Sequence, residues 1–323
     1  MKRKILYSLL LMTGGLFAAC NPDSVDEVNF NVTTEGNVKE VFAGDPVTFA
    51  LEGKPDYIIF YSGEFGNRYS DKNRSEVELT SATLSATLGL RCWTGALLRG
   101  QRLFAYVSED FNGVYTTEGI EAATWTEITG TGEGQLRYPT CATTWDDSAT
   151  STIDMFDYKD KPFYLAFQYS VPGDPNATGN QPRVLVTPLS IDKVTTEGEK
   201  LKMNNPLREF AFQYVQKKGG LLISTTNSGS LPISDTSVGF QPNNAMGREM
   251  DIWAVSQKIN LQSATPSMGT PVKTLNSKIS SYTYTYSTPG EYTATFIASN
   301  ANMWNSESVV KEMKIIVKEK PAN

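Results

Sequence analysis

The side chains that could do chemistry in this chain are its carboxylates, three cysteines and five tryptophans, because none of its 323 residues is a histidine. Without imidazole, Ser-His-Asp and Cys-His nucleophilic catalysis and every histidine-ligated metal site are excluded. Acid–base work would fall to a carboxylate pair, which glycoside hydrolysis needs roughly 5–10 Å apart across a cleft. Linear spacing carries no such distance, so no catalytic residue is assigned and the chain is expected not to be an enzyme. Acids gather at Asp146, Asp147, Asp154, Asp157 and Asp160, with Asp174 near Asn176. Hard oxygen ligands suit calcium. Asp146 and Asp147 are therefore candidate ligands for a structural calcium, against the plainer reading of solvated loop acids, and no other cofactor is implied.

Recognition of a sugar needs flat apolar faces against the C–H side of the ring, with amides and carboxylates around it for the hydroxyls. Trp145 precedes Asp146 and Asp147 in a polar stretch, and Trp304 stands among Asn302, Asn305 and Ser306, so both read as loop-borne. With Trp93, beside Cys92, they are the candidate ligand-binding residues; the alternative is that each caps the end of a core. Trp125 and Trp253 lie in apolar strand patterns and are expected in the core.

The elements that would position these residues begin after an export signal. Lys2, Arg3 and Lys4 precede a largely apolar run from Ile5 to Phe17, then Ala18, Ala19 and Cys20. The run is too short to span a bilayer permanently. A cysteine directly after small residues marks residues 1–19 as a lipoprotein signal peptide with Cys20 as the lipidated N-terminus, and residues 20–27 read as an acidic, flexible tether. Removing residues 1–19 removes three of the 29 basic residues and none of the 35 acidic ones, for a net charge of −9. Such a surface repels phosphate backbones, and no basic run with interleaved aromatics is present, so nucleic acid is not expected as a partner. With Cys20 lipidated, Cys92 and Cys141 remain. In an oxidising compartment both a disulfide between them and two buried thiols stay open.

From Val28 onward the pattern is strand after strand. Val28, Phe30 and Val32 alternate with polar residues, as do Val47, Phe49 and Leu51, and Tyr57 to Tyr61 is a continuous apolar strand. Near the other end, Ser281 to Asn300 alternates Tyr282, Tyr284 and Tyr286, then Tyr292, Ala294, Phe296 and Ala298. Pro289 and Gly290 between the runs predict a hairpin closed by a type II turn. Met313, Ile315 and Val317 point inward in a last strand. The middle is also β-rich: Leu103 to Val107, Phe163 to Tyr169, Arg183 to Thr187, Phe210 to Val215 and Ile252 to Val255 read as strands, with no long amphipathic helix.

Gly44, Asp45, Val47 and Phe49, then Phe60 to Gly66, followed by Tyr286, Pro289, Gly290, Tyr292, Phe296, Ala298 and Asn300, resemble the two halves of a PKD domain, an immunoglobulin-like β-sandwich. One half lies at each end of the chain. The resemblance implies a single sandwich, residues 28–76 and 263–319, interrupted by an inserted domain, residues 77–262. Insertion at an exposed loop is thermodynamically cheap; the rival, two half-size modules, leaves each with little core. Trp125 to Thr129, Leu165 to Ser170 and Asp251 to Leu261 look like the strand phrases of galactose-binding-like jelly rolls. The expected fold is thus all-β, a PKD-like sandwich carrying an inserted jelly-roll β-sandwich. From signal to final strand the chain resembles surface lipoproteins of Bacteroides of the DUF5017 type.

These readings converge on a glycan-binding lipoprotein of the outer membrane, exposed at the cell surface, held by its N-terminal lipid only, and capturing oligo- or polysaccharide for an outer-membrane importer complex. The alternative is a structural or adhesive surface lipoprotein with protein partners; a glycoside hydrolase is less favoured.

Overall fold

The computed structural model describes residues 24–91, 102–139, 141–142, 150–176, 182–219, 232–240 and 248–321. The chain is all-β and divides into two compact units, residues 1–75 with 265–323 and residues 76–264. Strands β1 (Phe30–Thr34), β2 (Glu40–Phe42), β3 (Pro46–Gly53) and β4 (Tyr57–Tyr61) open the first unit. The second unit holds β5 (Leu79–Arg91), β6 (Arg102–Ser108), helix α1 (Thr117–Ala122), and the two-residue strands β7 (Thr126–Glu127), β8 (Thr129–Gly130), β9 (Leu136–Arg137) and β10 (Cys141–Ala142). It continues with β11 (Ser151–Asp154), β12 (Tyr164–Val171), β13 (Arg183–Thr195), β14 (Lys200–Met203), β15 (Gln213–Lys218), β16 (Val238–Phe240) and β17 (Met250–Val255). The first unit resumes with β18 (Thr270–Lys273), β19 (Ser281–Thr285), β20 (Gly290–Ala301) and β21 (Ser306–Lys318).

In the first unit a sheet of order β1-β3-β19 packs on one of order β18-β4-β20-β21-β2. The period of two places Phe30, Val32, Val47, Phe49 and Leu51 from one sheet against Ile58, Phe60, Ala294, Phe296, Ala298, Ile315 and Val317 from the other. Phe49 meets Phe296 edge-on with ring centroids 5.1 Å apart.

Ser281–Asn300 is not the expected hairpin. Both strands form, but β19 pairs with β3, Tyr282 opposite Phe49, whereas β20 pairs with β4 and β21. The link between them is an arch from one sheet to the other, and Gly290 is not among the positive-φ glycines a type II turn would need. The arch is held by Tyr286, which is fully buried, donates its hydroxyl to the Ser62 carbonyl at 2.9 Å and stacks on Tyr292 at 4.7 Å. Both strands show the same alternation because both line one core, from opposite sides. Gly63 is required beside this arch: its φ is +88°, and a Cβ there would fall 2.7 Å from the Thr293 backbone.

In the second unit, β5 and β13 form the long pair of one sheet, with β10, β11, β14 and β16 along them; the facing sheet has the order β15-β17-β12-β6-β7. Leu84, Leu88, Val184 and Ile191 of the first meet Leu103, Leu165, Phe167, Tyr169 and Ile252 of the second in the main core. The ends of this unit lie side by side, with Glu76 and Ser263 in an antiparallel bridge and the Val77 amide donating to the Gln262 carbonyl at 2.8 Å.

Two outcomes follow from this packing. A polypeptide of residues 76–264 should fold by itself and unfold in urea in one cooperative transition; loss of cooperativity would show that its core is incomplete. Burial raises the phenol pKa of both Tyr169 and Tyr286 above the ordinary 10.0. The unfolded phenols lose their protons at about pH 10 while the folded ones keep theirs, so stability is full below that pH and falls as pH rises beyond it. Tyrosinate absorbance should therefore rise in two phases, the second coinciding with loss of the β-sheet circular dichroism.

Candidate functional site

The outward face of the five-stranded sheet in the second unit is where flat rings and hydrogen-bonding groups meet. Register places Glu127, Tyr106, Ala166 and Val255 in one row across the strands and Phe104, Gln168, Trp253 and Val215 in the next. Half of this face is covered. Helix α1 and its flanking loops lay Phe111, Ile120 and Trp125 over Tyr164, Ala166, Val215, Trp253 and Val255, a second apolar layer outside the sheet. That cover is fastened locally. The Thr116 hydroxyl accepts from the Gly119 amide at 3.2 Å as the helix N-cap, and Asp110 accepts from the Ser108 hydroxyl and the Thr124 amide, both at 2.8 Å.

At the margin of the cover the rings line up. Trp253, 6% exposed, contacts Trp125 at 5.2 Å and stacks on Tyr106 at 5.1 Å with an interplanar angle of 26°. Phe104 is 6.1 Å from Tyr106 and meets Tyr138 edge-on at 6.0 Å. Around these rings runs a polar network. Asp251 Oδ1 accepts from Trp253 Nε1 at 2.9 Å and from Gln168 Nε2 at 2.8 Å, while Gln168 Oε1 accepts from the Tyr106 hydroxyl at 3.2 Å. Lys217 Nζ lies 3.0 Å from Glu121 and 3.5 Å from the other oxygen of Asp251. Glu127 accepts from Thr129 at 2.6 Å and from Tyr138 at 2.7 Å.

Burial and neighbouring charge shift two groups on this surface. Burial, and then the charge of Glu127, push the Tyr106 phenol up to about 12, so it remains a neutral donor. Burial by itself would lower the Lys217 ammonium; hydrogen bonds and charge from Glu121 and Asp251 outweigh it and raise the net value. Half-buried phenyl and phenol faces beside an amide and fixed carboxylates are what a polyhydroxylated ligand with an apolar C–H face requires. A separate cleft of about 450 Å³, lined by Pro188, Ser190, Lys202, Asn204 and Asp235 among others, has no aromatic side chain in its lining.

Of the residues singled out in the sequence, Trp304 is described. It stands 67% exposed at the turn between β20 and β21 in the first unit, its amide donating to Asn302 Oδ1 at 2.8 Å. Cys20, Cys92, Trp93, Trp145, Asp146 and Asp147 lie outside the described residues. Cys141 opens β10, its backbone opposite Leu90 of β5. Three of the other acids have local duties. Asp154 accepts from the Phe156 amide and Asp174 from the Asn176 amide, both at 2.9 Å, and Asp160 pairs with Lys159. Among the described residues no group of three or more carboxylates or thiols could hold a metal. Trp253 is buried as expected, but both it and the half-buried Trp125 belong to the outer aromatic layer and not to the core between the sheets.

Sequence reasoning missed Phe104, Tyr106, Gln168, Lys217 and Asp251. A signal was present in β6: Leu103, Ala105 and Val107 fill its inward positions, yet Phe104 and Tyr106 between them are aromatic where polar residues would be ordinary.

A family model described as a domain of unknown function, DUF5017, matches residues 19–209. No curated protein and no solved structure matches the chain.

Asp251 is the acceptor on which the network converges. Asp251→Ala should strand the indole N–H of Trp253 and the Gln168 amide, leave Lys217 with Glu121 as its carboxylate partner, and lower unfolding free energy on the order of 1–3 kcal/mol. Chemical denaturation of the two proteins side by side checks this.

Proposed function

The chain belongs to the DUF5017 family, and we propose that this member is a glycan-binding lipoprotein of the outer membrane, exposed at the cell surface, that captures oligo- or polysaccharide for an outer-membrane uptake complex. The observation that carries the reading is the open half of the sheet face, where Phe104, Tyr106 and Tyr138 present rings beside Gln168 and Asp251. Anchorage rests on the lipidation signal ending at Cys20, and display at the surface on Asp23, Asp26 and Glu27 behind it. In this reading the first unit is a PKD-like spacer and the second a jelly-roll binding module. The protein binds and does not cleave: Asp251 is already committed to an indole, an amide and an ammonium group, a poor state for a general acid or nucleophile.

A second reading, a structural or adhesive protein with protein partners, draws on the first unit. There Pro271, Ile59, Ile297 and Val310 form a row across the outer face of the larger sheet, with Ile59 37% and Val310 39% exposed.

Calorimetry or affinity electrophoresis against a polysaccharide panel separates the two. Phe104→Ala and Tyr106→Ala should each weaken glycan binding by about tenfold or more, roughly 1.4 kcal/mol, with thermal melts confirming that each variant is folded. A folded wild-type protein that binds no glycan and instead retains a protein partner would favour the second reading.

A further inference from the structure

The turn joining β20 and β21 is a rigid tip with an apolar end. The two strands pair without interruption from Gly290 opposite Val317 to Ala301 opposite Ser306. Beyond them Asn302 closes the turn, its side-chain oxygen accepting from the amides of Trp304 and Asn305, both at 2.8 Å, and its own amide donating to the Asn305 carbonyl at 3.0 Å. The two residues this turn displays are Met303, 82% exposed, and Trp304, 67% exposed. A methionine and a tryptophan held outward side by side are an unusual use of large apolar side chains on a surface.

A second, independent observation concerns the chain that runs beside them. The chain enters the first unit alongside this same tip: Asn302 Nδ2 donates to the Ser24 carbonyl at 3.3 Å, and Asn300 Nδ2 to the Asp26 carbonyl at 3.0 Å. Asn300 is itself fixed, accepting from the Asp56 amide at 2.9 Å. From Ser24 back to Cys20 is four residues, at most about 14 Å of fully extended chain. A lipid on Cys20 therefore holds Ser24 within that distance of the bilayer surface, and the tip bonded to it through Asn302 close by; the polar layer of a bilayer is roughly 5–8 Å deep on each side. Tryptophan, apolar in its rings and polar at its N–H, is the side chain that settles best in that layer.

We propose that Met303 and Trp304 are a lipid-surface contact which, with the anchor on Cys20, seats the first unit on the bilayer by the tip of its β20–β21 pair. Contact is by apolar burial, since Asp26 and Glu307 beside the tip supply no cationic charge for acidic headgroups. The inference rests on the anchorage reading above and is separable from it.

The test uses the full chain purified from membranes, with the mass of its N-terminal peptide determined, reconstituted into phosphatidylethanolamine/phosphatidylglycerol vesicles carrying bromine near the headgroup end of the acyl chains. Wild-type tryptophan fluorescence should contain a component quenched by these lipids, and Trp304→Phe, with an unchanged melting curve, should lose that component. A lipid-bearing Cys20 with no quenched component, or with one that persists in Trp304→Phe, overturns the contact and leaves the anchor standing. A peptide without lipid on Cys20 overturns both.

Discussion

A strand sends its side chains to two faces by turns, so a sheet in a sandwich can give only one face to the shared core; what becomes of the other decides the rest of this protein. In the second unit the outward face of the five-stranded sheet is divided. One half is sealed by Phe111, Ile120 and Trp125, and the other is left to Phe104, Tyr106, Gln168 and Asp251. The seal and the open half depend on each other through Trp253, which contacts Trp125 on the covered side and Tyr106 on the open side. A rigid ring row at the boundary of a dry layer is already ordered before any ligand arrives, which lowers the entropic cost of binding there.

Asp251 gives the open half its stiffness. It joins β17 to β12 through Gln168 and to β15 through Lys217, and Lys217 reaches α1 through Glu121. One carboxylate thus ties three strands and, at one remove, the cover. Because it is four-fifths shielded, the interactions are screened less than those of the exposed pairs Lys314–Glu291 and Lys202–Asp192 elsewhere on the surface.

Periodicity made much of the fold legible. β4 was readable as an apolar run, β12 from Phe163, Leu165, Phe167 and Tyr169 on one face, and the inward residues of β21, Ile315 and Val317, as its buried side. Periodicity failed at Ser281–Asn300 because alternation reports which side chains are half-buried and carries nothing about which strand lies alongside. Two strands on opposite walls of one core look the same as two strands of a hairpin. The open face was illegible for a related reason. Gln168 and Asp251 sit 83 residues apart, and each reads locally as the solvated side of a strand. Trp253 was readable as buried, but only register shows that its cover comes from the segment around α1 and not from the opposing sheet.

The side-by-side ends of the second unit have a mechanical meaning. A module strung in series carries any tension through a single covalent link, whereas this one joins its host by two, at Ser75–Glu76 and Ala264–Thr265. Tension on the second unit would divide between two chain crossings whose neighbouring residues are already cross-bridged at Glu76 and Ser263. Drawing one crossing out alone would first have to break the Glu76–Ser263 bridge and the Val77–Gln262 hydrogen bond.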